Sequence, residues 1–207
     1  MAEKLAIEIV SDVICPWCYI GKRRLEKALA LLDGEVQAQI RWLPFQLNPG
    51  MPREGLPREE YRRQKFGSAE RARELDARVA AEGRGEGIAF AFERIARTPN
   101  TVAAHQLIEL AQREGRGDAV VDALFRAYFE EAKDIGEPAL LAEIAATHGV
   151  SGWPGQAHAD EVSRLEENVR GLGVSAVPTF IFDRKFGISG AHPPDALAQA
   201  MREALSK

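Results

Sequence analysis

Leu5-Ala6-Ile7-Glu8-Ile9-Val10-Ser11-Asp12-Val13-Ile14-Cys15-Pro16-Trp17-Cys18 is the stretch on which the reading of this chain turns. Its first six residues are rich in Ile and Val and have the length of a strand. Beyond Cys18 the pattern becomes helical. Ile20, Leu25, Ala28, Leu29 and Leu32 fall on one stripe, with Lys22, Arg23, Glu26 and Lys27 on the outer side. Gly34 supplies a left-handed stop. A second strand runs from about Val36 to Leu43 and ends at Pro44. Strand, helix and strand in 44 residues make one βαβ unit, and the two cysteines sit where its first strand hands over to its helix.

Working outward, Asn48-Pro49-Gly50-Met51-Pro52 is a turn-rich connector, after which helical patterns dominate. Arg58 to Arg84 is Arg/Glu-rich and reads as a solvated pair of helices held by i,i+4 ion pairs. Thr101 to Arg113 is a helix ending at Gly115. Asp118 is placed to cap the next helix, in which Val121, Leu124, Phe125, Tyr128, Phe129 and Ala132 recur at helical spacing. Pro138 opens another helix and Gly149 closes it. Strand character returns over Gly173–Asp183, a turn at Arg184-Lys185 leads to Phe186–Gly190, and a last helix spans Pro194 to Leu205. The ends therefore form one α/β domain, residues 1–44 and 171–207, interrupted by a mainly helical block at 45–170.

The 207 residues are 45% hydrophobic and 28% charged, as in ordinary folded domains, and the net charge is −4. That balance argues against a duplex-wrapping or polybasic membrane protein, so no nucleic-acid or membrane partner is expected. No apolar run approaches a bilayer span. Glu3 and Glu8 interrupt what a secretory signal would need, so the expected location is cytoplasmic. Cys15 and Cys18 are the two cysteines of the chain, too few for a disulfide framework.

Their value is chemical. Pro16 suits the first helical position, where its missing N–H costs nothing, and this makes Cys15 the N-cap. Free N–H groups and the helix dipole there favour an anion, hence a thiolate on Cys15, while Cys18 lies one turn inside and more covered. An exposed attacking thiol beside a covered resolving thiol is the asymmetry that thiol–disulfide exchange needs. Other readings compete. Zinc needs four ligands, and beyond the cysteines only His105, His148, His158 and His192 remain, without H-x₃₋₅-H spacing, so no metal is expected. A CxxC of purely structural use, in a non-enzymatic helical interaction module, stays open. A hydrolase-type nucleophile lacks a local His base.

The strand–CPWC–helix opening, the split α/β domain and the later Val177-Pro178 resemble the DsbA family of thioredoxin-fold disulfide oxidoreductases, within it the cytoplasmic FrnE-type branch. Supporting phrases are Pro99-Asn100-Thr101 with Ala104-His105, Leu124 to Phe129, and Ile188-Ser189-Gly190-Ala191. The resemblance implies a thioredoxin-like domain with a helical insertion, and an oxidoreductase or isomerase acting on thiol- or disulfide-bearing proteins or small thiols. It implies Cys15 as nucleophile and Cys18 as resolving thiol, with no metal or organic cofactor. It also implies a cis Val177–Pro178 bond beside the cysteines, where an extended substrate docks. A second resemblance is to the glutathione-dependent 2-hydroxychromene-2-carboxylate isomerases, akin to kappa-class glutathione transferases. Those enzymes generally carry Ser where Cys15 stands and use glutathione as cofactor.

Other residues carry two readings each. Trp17 is either an exposed docking aromatic or a ring packed on the helix start. Asp12 modulates the thiols or, preferably, caps the turn before Cys15. His105 reads as a satisfied, half-buried histidine, with a role at the redox site as its alternative. His192 reads as a loop histidine.

Overall fold

The computed structural model describes residues 2–157 and 159–206. His158, weighed above as a metal ligand, lies outside the described residues. The opening βαβ unit forms as its pattern dictates, with β1 at Glu3–Ser11, α1 at Pro16–Leu31 and β2 at Val36–Pro44. β1 and β2 pair in parallel from Glu3 against Val36 to Ser11 against Pro44. The returning strands are β5, Thr179–Phe182, and β6, Phe186–Ser189, with β5 antiparallel to β1. The sheet order β2-β1-β5-β6 places β1 in its interior.

Between these ends run α2 (Arg58–Phe66), α3 (Ala69–Gly85), α4 (Val102–Arg113), α5 (Gly117–Phe129), α6 (Pro138–Thr147) and α7 (Ala159–Gly171). A two-stranded pair joins β3, Leu56–Pro57, to β4, Arg97–Thr98. The chain closes with α8, Pro194–Leu205.

Period-two alternation in β1 sends Leu5, Ile7 and Ile9 to a core shared with Ile20 and Leu25 of α1 and with Leu197 and Met201 of α8. Val10 points to the opposite face, against Leu43, Phe45 and Val169 of α7. Both faces are thus covered at the C-terminal end of β1, where Ile9 and Val10 are buried side by side, whereas Ala6 is exposed and Glu8 only partly buried on the second face further back. The first cluster continues without a break into the helices, through Leu107 and Leu110 to Val121, Leu124, Phe125 and Phe129.

Three expectations are corrected. Strand structure does not begin at Gly173: residues 173–178 are non-strand, and β5 starts only after Pro178, which has no N–H for a ladder. Asp118 is not a cap. Arg116 holds that position, and Asp118 lies in the first turn, where it accepts the Trp42 indole N–H at 3.1 Å and faces Lys22 at 3.1 Å. The Arg/Glu-rich stretch is not held chiefly by i,i+4 pairs. Arg58 and Arg62 of α2 both bind Asp76 of α3, and Arg24 of α1 binds Glu82 and Glu86. Its charges tie elements together because α2 and α3 fold back on one another.

Gly21 in the middle of α1 has a packing reason. A Cβ there would lie 3.0 Å from Cγ of Pro178 and 3.2 Å from Cζ of Phe180. The bare backbone lets α1 approach the turn before β5. Gly21→Val is therefore expected to overpack this contact at a cost of about 1–3 kcal/mol. Denaturant unfolding checks it; an unchanged midpoint would mean that the Pro178 turn gives way freely.

Candidate active site

Cys15 does occupy the N-cap of α1, in extended backbone (φ −92°, ψ 112°), with Pro16 opening the first turn. The turn before it is closed by the Cys15 N–H donating to the Asp12 carbonyl at 2.9 Å. The Cys18 N–H donates to the Cys15 carbonyl at 3.0 Å, and the Cys15 side chain makes no capping bond. The expected sulfur contact with the helix-start amides is thus replaced by backbone closure. Both thiols are free, and the cysteines lie 3.5 Å apart.

The expected contrast in exposure is smaller than the sequence suggests, since Cys15 is 5% exposed and Cys18 1%. The difference is in what lies beside them. Cys15 lines a cavity of about 440 Å³, together with Trp17, Tyr61, Phe66 and Phe92. Cys18 belongs to the closed core, and burial pushes its thiol well above the usual thiol range, with its neighbour Cys15 pushing the same way. Cys18 is therefore a protonated, sheltered thiol next to one that borders open space.

The cis Val177–Pro178 bond stands beside this pair, as the resemblance implied. The Cys15 thiol faces the Val177 carbonyl at 3.8 Å. Residues 162 positions apart thus meet because α1 and β5 both pack on β1. Trp17, 39% exposed, borders the same cavity, so its indole is a surface group rather than part of the closed core.

Asp12 departs from its preferred reading. Its side chain does not cap the turn before Cys15; it is fully buried, and Oδ2 accepts the Leu47 N–H at 2.8 Å. Oδ1 lies 3.3 Å from Nε2 of His105, which is itself 4% exposed. His105 is satisfied, as read, but buried rather than half-buried, and its partner is the aspartate one turn before the nucleophile candidate. The pair ties α4 and the segment after β2 to the base of the cysteine turn. His192 is a loop residue whose Nε2 lies 2.9 Å from the Ser189 carbonyl.

Two supports escaped the sequence reading. Glu166 of α7 accepts both the Gln46 backbone N–H and its side-chain amide, at 2.8 and 2.7 Å, and Arg170 lies 4.0 Å over the Phe45 ring. Together they brace the segment that delivers Leu47 to Asp12. The other is the cationic lining of the cavity, in a stretch read as solvated. Tyr61, Phe66, Leu75 and Val79, set among its charges, were the signal of a buried face. Among the described residues, no group of three or more His, Cys, Asp or Glu side chains is gathered as a metal site.

Comparison with known proteins agrees with this architecture. The profile described as DSBA-like thioredoxin domain matches residues 6–202. The crystal structure of the probable DsbA oxidoreductase of Streptomyces coelicolor superposes with a TM-score of 0.87 at 33% identity, covering 98% of this chain and 91% of that one. The cytosolic disulfide reductase DsbM from Pseudomonas aeruginosa, solved with GSH, shares the fold at 18% identity and a TM-score of 0.66, over 98% of this chain and all (100%) of that one. A 2-hydroxychromene-2-carboxylate isomerase shares it at 18% identity and a TM-score of 0.67, over 97% and 96% of the two chains. A sheet assembled from both ends of the chain, a cysteine pair at the first helix start and a cis proline against it accord with a match that spans nearly the whole sequence: the chain belongs to the DSBA-like thioredoxin domain family of oxidoreductases.

Proposed function

We propose that the protein is a thiol–disulfide oxidoreductase of the FrnE-type branch, working in the cytoplasm on thiol- or disulfide-bearing proteins or small thiols. Cys15 is the nucleophile, Cys18 the resolving thiol, and no metal or bound organic cofactor takes part. The observation that carries this reading is the unequal setting of two free thiols 3.5 Å apart, one bordering a cavity and one enclosed.

In the oxidising direction a substrate dithiol attacks the Cys15–Cys18 disulfide at Cys15. The Cys15–substrate bond forms, the bond between the two cysteines breaks, and Cys18 leaves and takes up a proton. A second substrate thiol displaces Cys15, so two electrons and two protons pass to the enzyme. Burial holds the Cys18 thiol well above its ordinary range, so the sulfur released in this direction is captured as the neutral thiol at neutral pH. In the reducing direction Cys18 must give up that proton before it can release Cys15. The Val177 carbonyl, at the edge that precedes β5, offers an acceptor to an extended substrate backbone, with Pro178 fixing its direction and Trp17 flanking it. Asp12 and His105 hold the turn from beneath and act as positioning residues. Counting thiols across oxidation tests the reading: two in the reduced protein and none in the oxidised one. Two free thiols under mild oxidant would favour a structural CxxC.

A further inference from the structure

Cys15 is 5% exposed, so a reactant reaches it through the space that it lines. That space, about 440 Å³, is in the range that holds small molecules. Four cationic side chains border it, Arg58, Arg62, Lys65 and Arg78, against a single carboxylate, Asp76. This is a local excess of positive charge in a chain whose net charge is −4. Asp76 is shared by Arg58 and Arg62, so it neutralises neither fully. Lys65 donates to the Tyr61 hydroxyl at 2.6 Å and has no acidic partner among the described residues; nor has Arg78. Nε of Arg62 is buried without a hydrogen-bond partner among the described residues. Burial, with Arg58 nearby, lowers the Arg62 guanidinium from its ordinary value, as expected for a cation short of counter-charge. Aromatic rings carry the same cations, with Arg62 4.3 Å from the Phe66 centroid and Lys65 5.2 Å from that of Tyr61.

We propose that this cavity selects small disulfides built as an apolar or aromatic body bearing an anionic group, with the body against Phe66 and Trp17 and the anion met by Arg62, Lys65 and Arg78. The proposal rests on Cys15 as attacking thiol. The reduced pair attacks such a disulfide, the Cys15–sulfur bond forms and one anionic thiolate leaves. Cys18 then loses its proton and attacks Cys15, releasing the second thiolate. Two electrons pass from the protein to the substrate, and the cysteines end as a disulfide.

The test compares the initial rates at which the reduced protein cleaves two aromatic disulfides, dianionic dithiobis(nitrobenzoate) and neutral dithiodipyridine. The ratio of rates cancels changes in the thiol itself. In the double variant Lys65→Gln, Arg78→Gln, both positions being exposed, the ratio is expected to fall about ten-fold. High salt is expected to lower the wild-type ratio towards that of the variant. Arg202→Gln, paired with Glu35 on the surface away from the cavity, is expected to keep the wild-type ratio. An unchanged ratio in the double variant, with both reagents still cleaved through Cys15, overturns the anion selectivity and leaves the oxidoreductase reading standing. Cleavage of neither reagent by Cys15 overturns both.

Discussion

Cys18→Ala is expected to leave Cys15 locked in mixed disulfides with whatever it attacks, and Cys15→Ala to abolish them. The asymmetry follows from the surroundings of the two sulfurs. Cys15 borders the cavity and faces the Val177 carbonyl, whereas Cys18 is enclosed in the core at 1% exposure and has no route to a substrate. Without Cys18 the intramolecular attack that releases Cys15 is lost. A neighbouring thiol has an effective concentration far above that of any free thiol in solution, so release should slow by at least about a hundred-fold. Non-reducing electrophoresis of each variant with a dithiol or disulfide protein substrate reads the outcome. Equal trapping by both variants would erase the assigned roles. Glutathione-dependent isomerisation of an aromatic carboxylate that persisted in both would instead support the isomerase reading, for which likeness of fold is the present ground.

Asp12→Ala should be among the most destabilising single changes outside the apolar core. The carboxylate is fully buried, and its loss strands the Leu47 N–H and Nε2 of His105. A buried donor left without an acceptor costs about 1–3 kcal/mol, so the pair together should cost about 2–6 kcal/mol. For a chain of this size that lowers the melting temperature by roughly 2–4 °C per kcal/mol. Asp12→Asn keeps an oxygen that accepts from one of the two donors and should recover part of the loss. Thermal unfolding of the three proteins checks the order wild type, Asn, Ala. The Asp12 side chain anchors the residue whose backbone carbonyl closes the Cys15 turn, so losing that anchor lets the turn shift and the reduction potential of the cysteine pair should move with the substitution. A purely structural role would change stability and leave the potential alone.

What could be read from the sequence was what is local or periodic. The Ile/Val strand, Pro16 at the first helical position and the stripe from Ile20 to Leu32 concern residues within a few positions of one another, and they place Cys15 at the helix start. The Val177–Pro178 turn was legible because proline restricts its own surroundings. What could not be read was pairing across the chain. Asp12 and His105 are 93 positions apart, and nothing near either residue announces the other. Asp12 on its own resembles a turn cap, because short carboxylates usually serve nearby amides. The cavity cations lie in a stretch whose charge pattern suits a solvated face. Only the fold of α2 against α3, with Arg58 and Arg62 on Asp76, turns part of that face towards Cys15. The low exposure of Cys15 has the same origin, since its cover comes from distant segments such as the one carrying Val177.

The central claim is that Cys15 and Cys18 form one two-electron redox couple, and equilibrating the protein with graded glutathione buffers tests it directly. Counting free thiols after acid quenching should show a single transition from two to none, with a midpoint within or near the span of known dithiol couples, about −270 to −120 mV. Two free thiols throughout, even in the most oxidising buffer, would contradict the account.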